Sequence, residues 1–157
     1  MPLLSNVENL RSRFGGRFDA LDHWLASRKD LLVLYCKLSV VPNRREALPG
    51  AGEISQLCNA LVDYVSAGHF EIYEQLLDCA ENRSAEATQL AKKLFPRIAQ
   101  GTDTILNFSD KYGDHADESL STDFDLELSH VGQILEERFE MEDALIHALF
   151  DPDEKAA

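Results

Sequence analysis

Residues 54–79 read ISQLCNALVDYVSAGHFEIYEQLLDC and have a strong helical pattern. At about 100° per residue, the apolar positions that recur along this stretch fall within about 60° of one another. They form one stripe, which consists of Ile54, Cys58, Leu61, Val65, Ile72, Leu76 and Cys79. The stretch therefore predicts a long amphipathic helix that packs this stripe against a core.

The opposite face of the predicted helix carries apolar residues among polar ones. Phe70 points almost directly away from the stripe. The same outer face holds Asp63, Ala67, Glu74 and Leu77, with Ser66 at its edge. Single exposed apolar residues are common, but a phenylalanine near a leucine, surrounded by carboxylates, is typical of a surface that docks another macromolecule.

Three further segments have helical periodicity, and no segment shows the alternation of a strand. The sequence predicts helices over about residues 18–38, 53–80, 85–112 and 121–150, with a short extra helix near Val7–Phe14. Two short loops and one of about 14 residues favour antiparallel neighbours. We therefore expect an all-α fold, an antiparallel up-down-up-down four-helix bundle in one domain over 1–157, whose tail at 151–157 is flexible.

Two charged residues fall on predicted core faces. The last helix carries Glu142 in the middle of an apolar stripe made of Phe124, Leu128, Val131, Leu135, Phe139, Ile146 and Leu149. On the first helix Arg28 lies between core leucines in the same way. Because a buried charge needs a partner, Arg28 and Glu142 are predicted to form a buried ion pair that fixes the register of the two helices.

The acidic charge is concentrated in two segments. The formal net charge is −13, which argues against direct binding to nucleic acid or to an anionic membrane. Residues 51–81 hold six acidic and no basic side chains, and residues 113–157 hold 14 acidic and two basic ones. These segments can steer a basic partner at long range, although an acidic surface also simply maintains solubility.

The sequence gives no support for an enzyme, a metal site or a cofactor. A di-iron bundle needs a Glu-x-x-His motif on two helices, and none occurs here. Phosphate-binding glycine loops and a GxSxG nucleophile motif are also missing. His69, which flanks the core stripe beside Tyr73, is interpreted as a packed or solvated histidine.

Targeting signals are missing from the sequence as well. No apolar run reaches the length of a membrane span, and the first ten residues do not resemble a signal peptide. The three cysteines form no CxxC pair and are interpreted as small core residues in a reducing compartment. The sequence therefore predicts a soluble, cytoplasmic protein.

Several runs of the sequence resemble one protein family. The run LVDYVSAGHF at 61–70, continued by IYE at 72–74, resembles the signature of the Rsd/AlgQ family of bacterial regulators of the primary sigma factor. Two other segments agree with that family at matching spacing. They are DHWL at 22–25 with RK at 28–29 and LLV at 31–33, and LS at 128–129 with ERF at 137–139 and ED at 142–143.

The resemblance implies an anti-sigma factor. Members of this family bind region 4 of the primary sigma factor, a helix-turn-helix domain, and so keep sigma from core RNA polymerase and from the −35 promoter element, typically in stationary phase. The resemblance assigns the sigma contacts to Asp63, Ser66 and Phe70, and Glu74 and Leu77 are further candidates on the same face. The implied partner is the primary sigma factor, bound by a monomer that forms a heterodimer with it.

Two alternatives from other functional classes stay open at this point. A general acidic mimic of DNA would bind many basic proteins and would lose that binding in salt. A helical-bundle sensor would bind a small ligand or a metal in a polar interior around Arg28, His69 and Glu142. Binding by a DNA mimic would not depend on Phe70, whereas a sensor would show a thermal shift with metabolites or metals.

Overall fold

The computed structural model describes residues 19–39, 51–113 and 123–150. Its elements are α1 (Asp19–Ser39), α2 (Ala51–Ala67), a π-helical turn (Gly68–Ile72), α3 (Tyr73–Arg83), α4 (Ala85–Tyr112) and α5 (Phe124–Phe150). No strand occurs in these ranges, so the all-α prediction is confirmed there. The predicted short N-terminal helix, most of the 39–52 loop and the tail at 151–157 lie outside the described residues.

Apolar periodicity explains which helix faces are buried. Every residue of the predicted α5 stripe is at most 4% exposed, Glu142 included. The stripe predicted for 54–79 is likewise buried, apart from Cys79, whose side chain lies outside the described residues. Trp24, the single tryptophan, is 1% exposed and lies within the core.

The start of α4 is fixed by its cap. Ser84 has an extended backbone, and its side-chain oxygen accepts a hydrogen bond from the Ala87 N–H at 3.2 Å. This bond satisfies one of the free N–H groups of the first turn. Pro96 lies inside α4, which continues on both sides of it to Tyr112.

Contacts between helices define their relative directions. Along α1 and α5, Arg28 meets Glu142 whereas Tyr35 donates to the Leu128 carbonyl, so these helices run antiparallel. Helices α4 and α5 also run antiparallel. Thr102 contacts Arg138, whereas Lys111, which comes later in α4, contacts Glu127, which comes earlier in α5. Tyr73 stacks on Phe95, which brings α3 against the first half of α4.

The long helix predicted over 53–80 is helical throughout, but it is not a regular α-helix along its whole length. A π-helical turn separates α2 from α3, and its hydrogen bond runs from the Tyr73 N–H to the Gly68 carbonyl, five residues back. A turn of this kind contains one residue more than an α-helical turn, so the faces of α3 are rotated relative to those of α2. The assumption of a constant 100° per residue is therefore wrong beyond Gly68.

Candidate functional site

Four helical elements meet at one buried carboxylate. The Oε1 atom of Glu142 accepts hydrogen bonds from the Tyr64 hydroxyl at 2.6 Å and from Arg28 Nη2 at 3.2 Å. Its Oε2 atom accepts from the Tyr73 hydroxyl at 2.6 Å and from Arg138 Nε at 3.3 Å. The structure thus brings Arg28 and Glu142 together, and it surrounds Glu142 with donors from α1, α2, α3 and α5.

Arg28 has partners for each arm of its guanidinium group. Besides Glu142, its Nε atom donates to the Tyr64 hydroxyl at 3.0 Å and its Nη1 atom to Asp143 at 2.6 Å. The ring of Phe139 lies 4.7 Å from the guanidinium carbon, within the range of a cation–π contact. Burial opposes the charge, but the neighbouring Tyr64, Asp143 and Glu142 raise the pKa of Arg28, which stays protonated.

Both tyrosine hydroxyls of this cluster are donors. Burial, together with the negative charge of Glu142, raises the pKa of Tyr64 and of Tyr73 well above the usual range of a phenol, and the neighbouring arginines offset this only in part. Each hydroxyl therefore stays protonated and donates a hydrogen bond to Glu142. A carboxylate that accepts this many hydrogen bonds is satisfied in the interior, where an unpaired charge would be strongly destabilising.

Sequence reasoning missed Arg138 and the contact between Asp143 and Arg28. Arg138 is 2% exposed and bonds to Thr102 on α4 at 2.9 Å as well as to Glu142. Its position four residues before Glu142 was the available signal, because residues at that spacing lie on one side of a helix. Asp143 follows Glu142 directly and accepts a hydrogen bond from Arg28 Nη1 at 2.6 Å, a contact that sequence reasoning did not predict.

The outer face of α2 and α3 only partly matches the prediction. Asp63 and Glu74 are exposed, and Ser66 is half-buried. Within the described part of the chain, no hydrogen bond or ion pair engages the side chains of Asp63 or Glu74. Phe70 lies in the π-helical turn, and its side chain is outside what the structure describes.

Two residues assigned to that outer face lie nearer the core. Leu77 is half-buried and packs against a small apolar cluster formed by Ala91, Leu94 and Leu145. Ala67 is half-buried and packs against the main core. The cause for Leu77 is the π-helical turn, which rotates α3 and carries this side chain towards α4 and α5.

A groove of about 440 Å³ lies between α3 and α4. The residues that line it are His69, Tyr73, Glu74, Leu77, Phe95, Pro96, Ile98, Ala99, Thr102 and Arg138. His69 is exposed. In the described ranges, no group of three or more His, Cys, Asp or Glu side chains is arranged to hold a metal ion, and no helix is long and apolar enough to cross a membrane.

Comparison with known proteins identifies the family. The model of the family described as "Regulator of RNA polymerase sigma(70) subunit, Rsd/AlgQ" matches residues 3–150. The chain belongs to the Rsd/AlgQ family. It is similar to the "Regulator of sigma D" of Yersinia pseudotuberculosis serotype O:1b (strain IP 31758), with 36% identity over 92% of this chain and 87% of that protein.

Two other relatives carry the same name. The "Regulator of sigma D" of Yersinia enterocolitica serotype O:8 is 36% identical, over 92% of this chain and 88% of that protein. The one from Salmonella arizonae is 38% identical, over 95% of this chain and 93% of that protein. The resemblance of residues 61–74 to this family is thereby confirmed, and the matched region includes every helix of the structure.

Proposed function

We propose that this Rsd/AlgQ protein is an anti-sigma factor that binds region 4 of the primary sigma factor. It thereby holds sigma away from core RNA polymerase and from the −35 promoter element, and it regulates transcription in stationary phase. Relatives named regulators of sigma D support this proposal. The structural observation that supports it most is the exposure of two carboxylates, Asp63 and Glu74, on one helical segment.

The chemistry of region 4 matches this surface. A helix-turn-helix domain carries arginine and lysine side chains that contact DNA phosphates. Asp63 and Glu74 can pair with those cations, which raises the rate of association and disfavours acidic partners. Phe70 supplies the aromatic anchor, the type of residue that contributes most to the affinity of many interfaces, and Ser66 completes the contact beside it.

The bundle is the scaffold of this surface in our proposal. The antiparallel contacts between α1 and α5, and between α4 and α5, support an up-down-up-down four-helix bundle in which α2, the π-helical turn and α3 together form the second helix. A bundle of this kind buries one side of that second helix and leaves the other free. One copy of the protein then binds one copy of sigma.

Co-purification with tagged sigma region 4 tests the proposal. We expect wild-type protein to be retained, and Asp63→Ala and Phe70→Ala to be lost although both variants keep their helicity and melting temperature. Two matched controls lie elsewhere: Asp103→Ala removes an exposed carboxylate of α4, and Leu126→Ala removes a leucine of α5 that is 72% exposed. Normal retention of both folded Asp63 and Phe70 variants would refute the assignment of this face.

Salt titration separates this proposal from a general acidic mimic of DNA. A mimic would bind many basic proteins, and its affinity would fall steeply with salt whether or not Phe70 is present. For sigma region 4 we expect a residual affinity at high salt that Phe70→Ala removes. Equal salt curves for wild type and Phe70→Ala would favour the mimic.

The groove between α3 and α4 supports a second candidate function, a sensor of small ligands. Its wall is apolar at Phe95, Pro96 and Ala99, and the buried Arg138 lies at its base. Melting of the protein in the presence of a metabolite panel tests this function. A ligand that raises the melting temperature and is displaced by Ala99→Trp would favour it.

A further inference from the structure

Two tyrosines on opposite sides of the π-helical turn hold one carboxylate. Tyr64 belongs to α2 and Tyr73 to α3, nine positions further along. On an uninterrupted α-helix, nine positions correspond to about 180° of rotation, so the two side chains would point in opposite directions. In the structure both are buried, and their hydroxyls lie 2.6 Å from the two oxygens of Glu142.

The π-helical turn makes this convergence possible. Because it contains one extra residue, the rotation from Tyr64 to Tyr73 corresponds to about eight α-helical steps, or about 80°. Gly68 opens the turn and gives the room that the arrangement needs. A Cβ atom at Gly68 would lie 3.2 Å from the Tyr73 ring and 3.3 Å from Arg138 Nη2.

A regular α-helix is the competing conformation of the same segment. Without the extra residue in the turn, α3 would be rotated by about 100° relative to α2. That rotation would carry Tyr73 away from the core. It would also move the backbone at Phe70 and change the direction of Glu74 relative to Asp63.

We propose that Tyr64, Tyr73 and Glu142 form a clamp that holds the π-helical turn, and that Tyr73 and Glu142 are positioning residues for the docking face. The clamp sets the position of the backbone at Phe70 and the orientation of Glu74 relative to Asp63 and Ser66. This inference rests on the proposed function, because it assumes that this face binds sigma region 4. None of the clamp residues contacts sigma.

Tyr73→Phe tests the clamp with a single lost hydroxyl, and Tyr35→Phe is its matched control. The control removes another hydrogen bond between helices, from Tyr35 to the Leu128 carbonyl at 3.2 Å, and leaves the turn unchanged. Hydrogen exchange is measured at the Tyr73 amide, which closes the turn, and at the Ile105 amide in the second half of α4. A loss of global stability accelerates exchange at both amides, whereas release of the turn accelerates exchange only at Tyr73.

We expect Tyr73→Phe to accelerate exchange at Tyr73 by roughly tenfold more than at Ile105, and to weaken binding of sigma region 4 by roughly tenfold. Tyr64→Phe/Tyr73→Phe should increase both effects. Tyr35→Phe should change the exchange rates of the two amides by the same factor and leave the affinity for sigma region 4 at the wild-type value. Wild-type affinity and uniform exchange in the double variant would overturn the proposal.

Deletion of His69 separates the clamp from the display of the face. The shortened segment is a regular α-helix that keeps about 80° between Tyr64 and Tyr73, so the clamp and the global stability are expected to persist. The residues of the former turn are displaced, and we expect affinity for sigma region 4 to fall at least tenfold. Unchanged affinity in this stable variant would show that the turn does not position the face.

Failure of the proposed function would look different. In that case Asp63→Ala and Phe70→Ala would bind like the wild type, or wild-type protein would not bind region 4 at all. Either result would overturn the positioning role as well. Selective exchange at Tyr73 in Tyr73→Phe would nevertheless establish that the clamp holds the turn.

Discussion

The two sides of the segment from Ala51 to Arg83 hold their polar groups in different surroundings. On the inner side, the hydroxyls of Tyr64 and Tyr73 donate to a carboxylate that is fully buried. On the outer side, Asp63 and Glu74 are exposed to solvent. Burial makes the inner contacts decisive for stability, whereas exposure leaves the outer charges available to a partner. Changes on the outer side should therefore affect binding alone, whereas changes on the inner side should lower stability and affect binding only through the orientation of the docking face.

Glu142→Ala should give the largest effect, a loss of about 3–5 kcal/mol in the free energy of unfolding. The substitution leaves the buried Arg28 and Arg138 without the carboxylate that both contact. Urea unfolding followed by the fluorescence of Trp24 measures it, since that ring is buried and stacked on Tyr64. Glu140→Ala, at an exposed position two residues earlier, is the control. Equal free energies of unfolding for Glu142→Ala and Glu140→Ala would show that the buried and the exposed carboxylate contribute equally to stability.

The sequence predicted the inner side well up to the π-helical turn. Stripes on α1 and α5 placed Arg28 and Glu142 among core residues, and the need to neutralise both charges paired them. The helix predicted over 85–112 likewise matches α4, which runs from Ala85 to Tyr112. These features depend on local spacing, which a sequence displays directly.

Tyr64 and Tyr73 both reach the cluster only because the helical phase changes at the π-helical turn, and residue spacing does not reveal that change. Tyr64 and Tyr73 fall on opposite faces of a regular helix, so periodicity could not bring both to Glu142. The same phase change moved Leu77 off the predicted outer face. Asp143 was missed because it lies about 100° from Glu142 on α5, outside the predicted core stripe, so periodicity gave no reason to expect a buried partner for it.

Asp63→Ala should have the next largest effect, and only on binding. We expect affinity for sigma region 4 to fall by about 1.4–2 kcal/mol, which is at least tenfold. The free energy of unfolding should stay within about 0.5 kcal/mol of wild type, because the residue is exposed and makes no described contact. Titration calorimetry and urea unfolding measure the two quantities. A destabilisation comparable to that of Glu142→Ala would contradict the separation of the two sides.

Gly68→Ala should affect both sides to a smaller extent. The added methyl group displaces the Tyr73 ring and Arg138, and such overpacking outweighs the gain in helix propensity, for a net loss of about 1 kcal/mol. Gly52→Ala is the control, since a Cβ atom there meets nothing within 4 Å. Thermal melting should show a lower midpoint for Gly68→Ala and an equal or higher one for Gly52→Ala. A Gly68→Ala protein as stable as wild type would mean that the clamp tolerates displacement of Tyr73.

Asp143→Asn should give the smallest effect, a change in how stability depends on pH. Burial raises the pKa of Asp143 above its usual 3.8, and the contact with Arg28 only partly offsets this. The folded protein therefore binds this proton more tightly than the unfolded chain, so the contribution of Asp143 is lost as the pH rises through its folded pKa. Wild type should lose stability relative to Asp143→Asn over that window, beyond the slope of the exposed control Asp103→Asn. Urea unfolding from about pH 3.5 to pH 7 measures the difference, and a slope of opposite sign would mean that Arg28 outweighs burial.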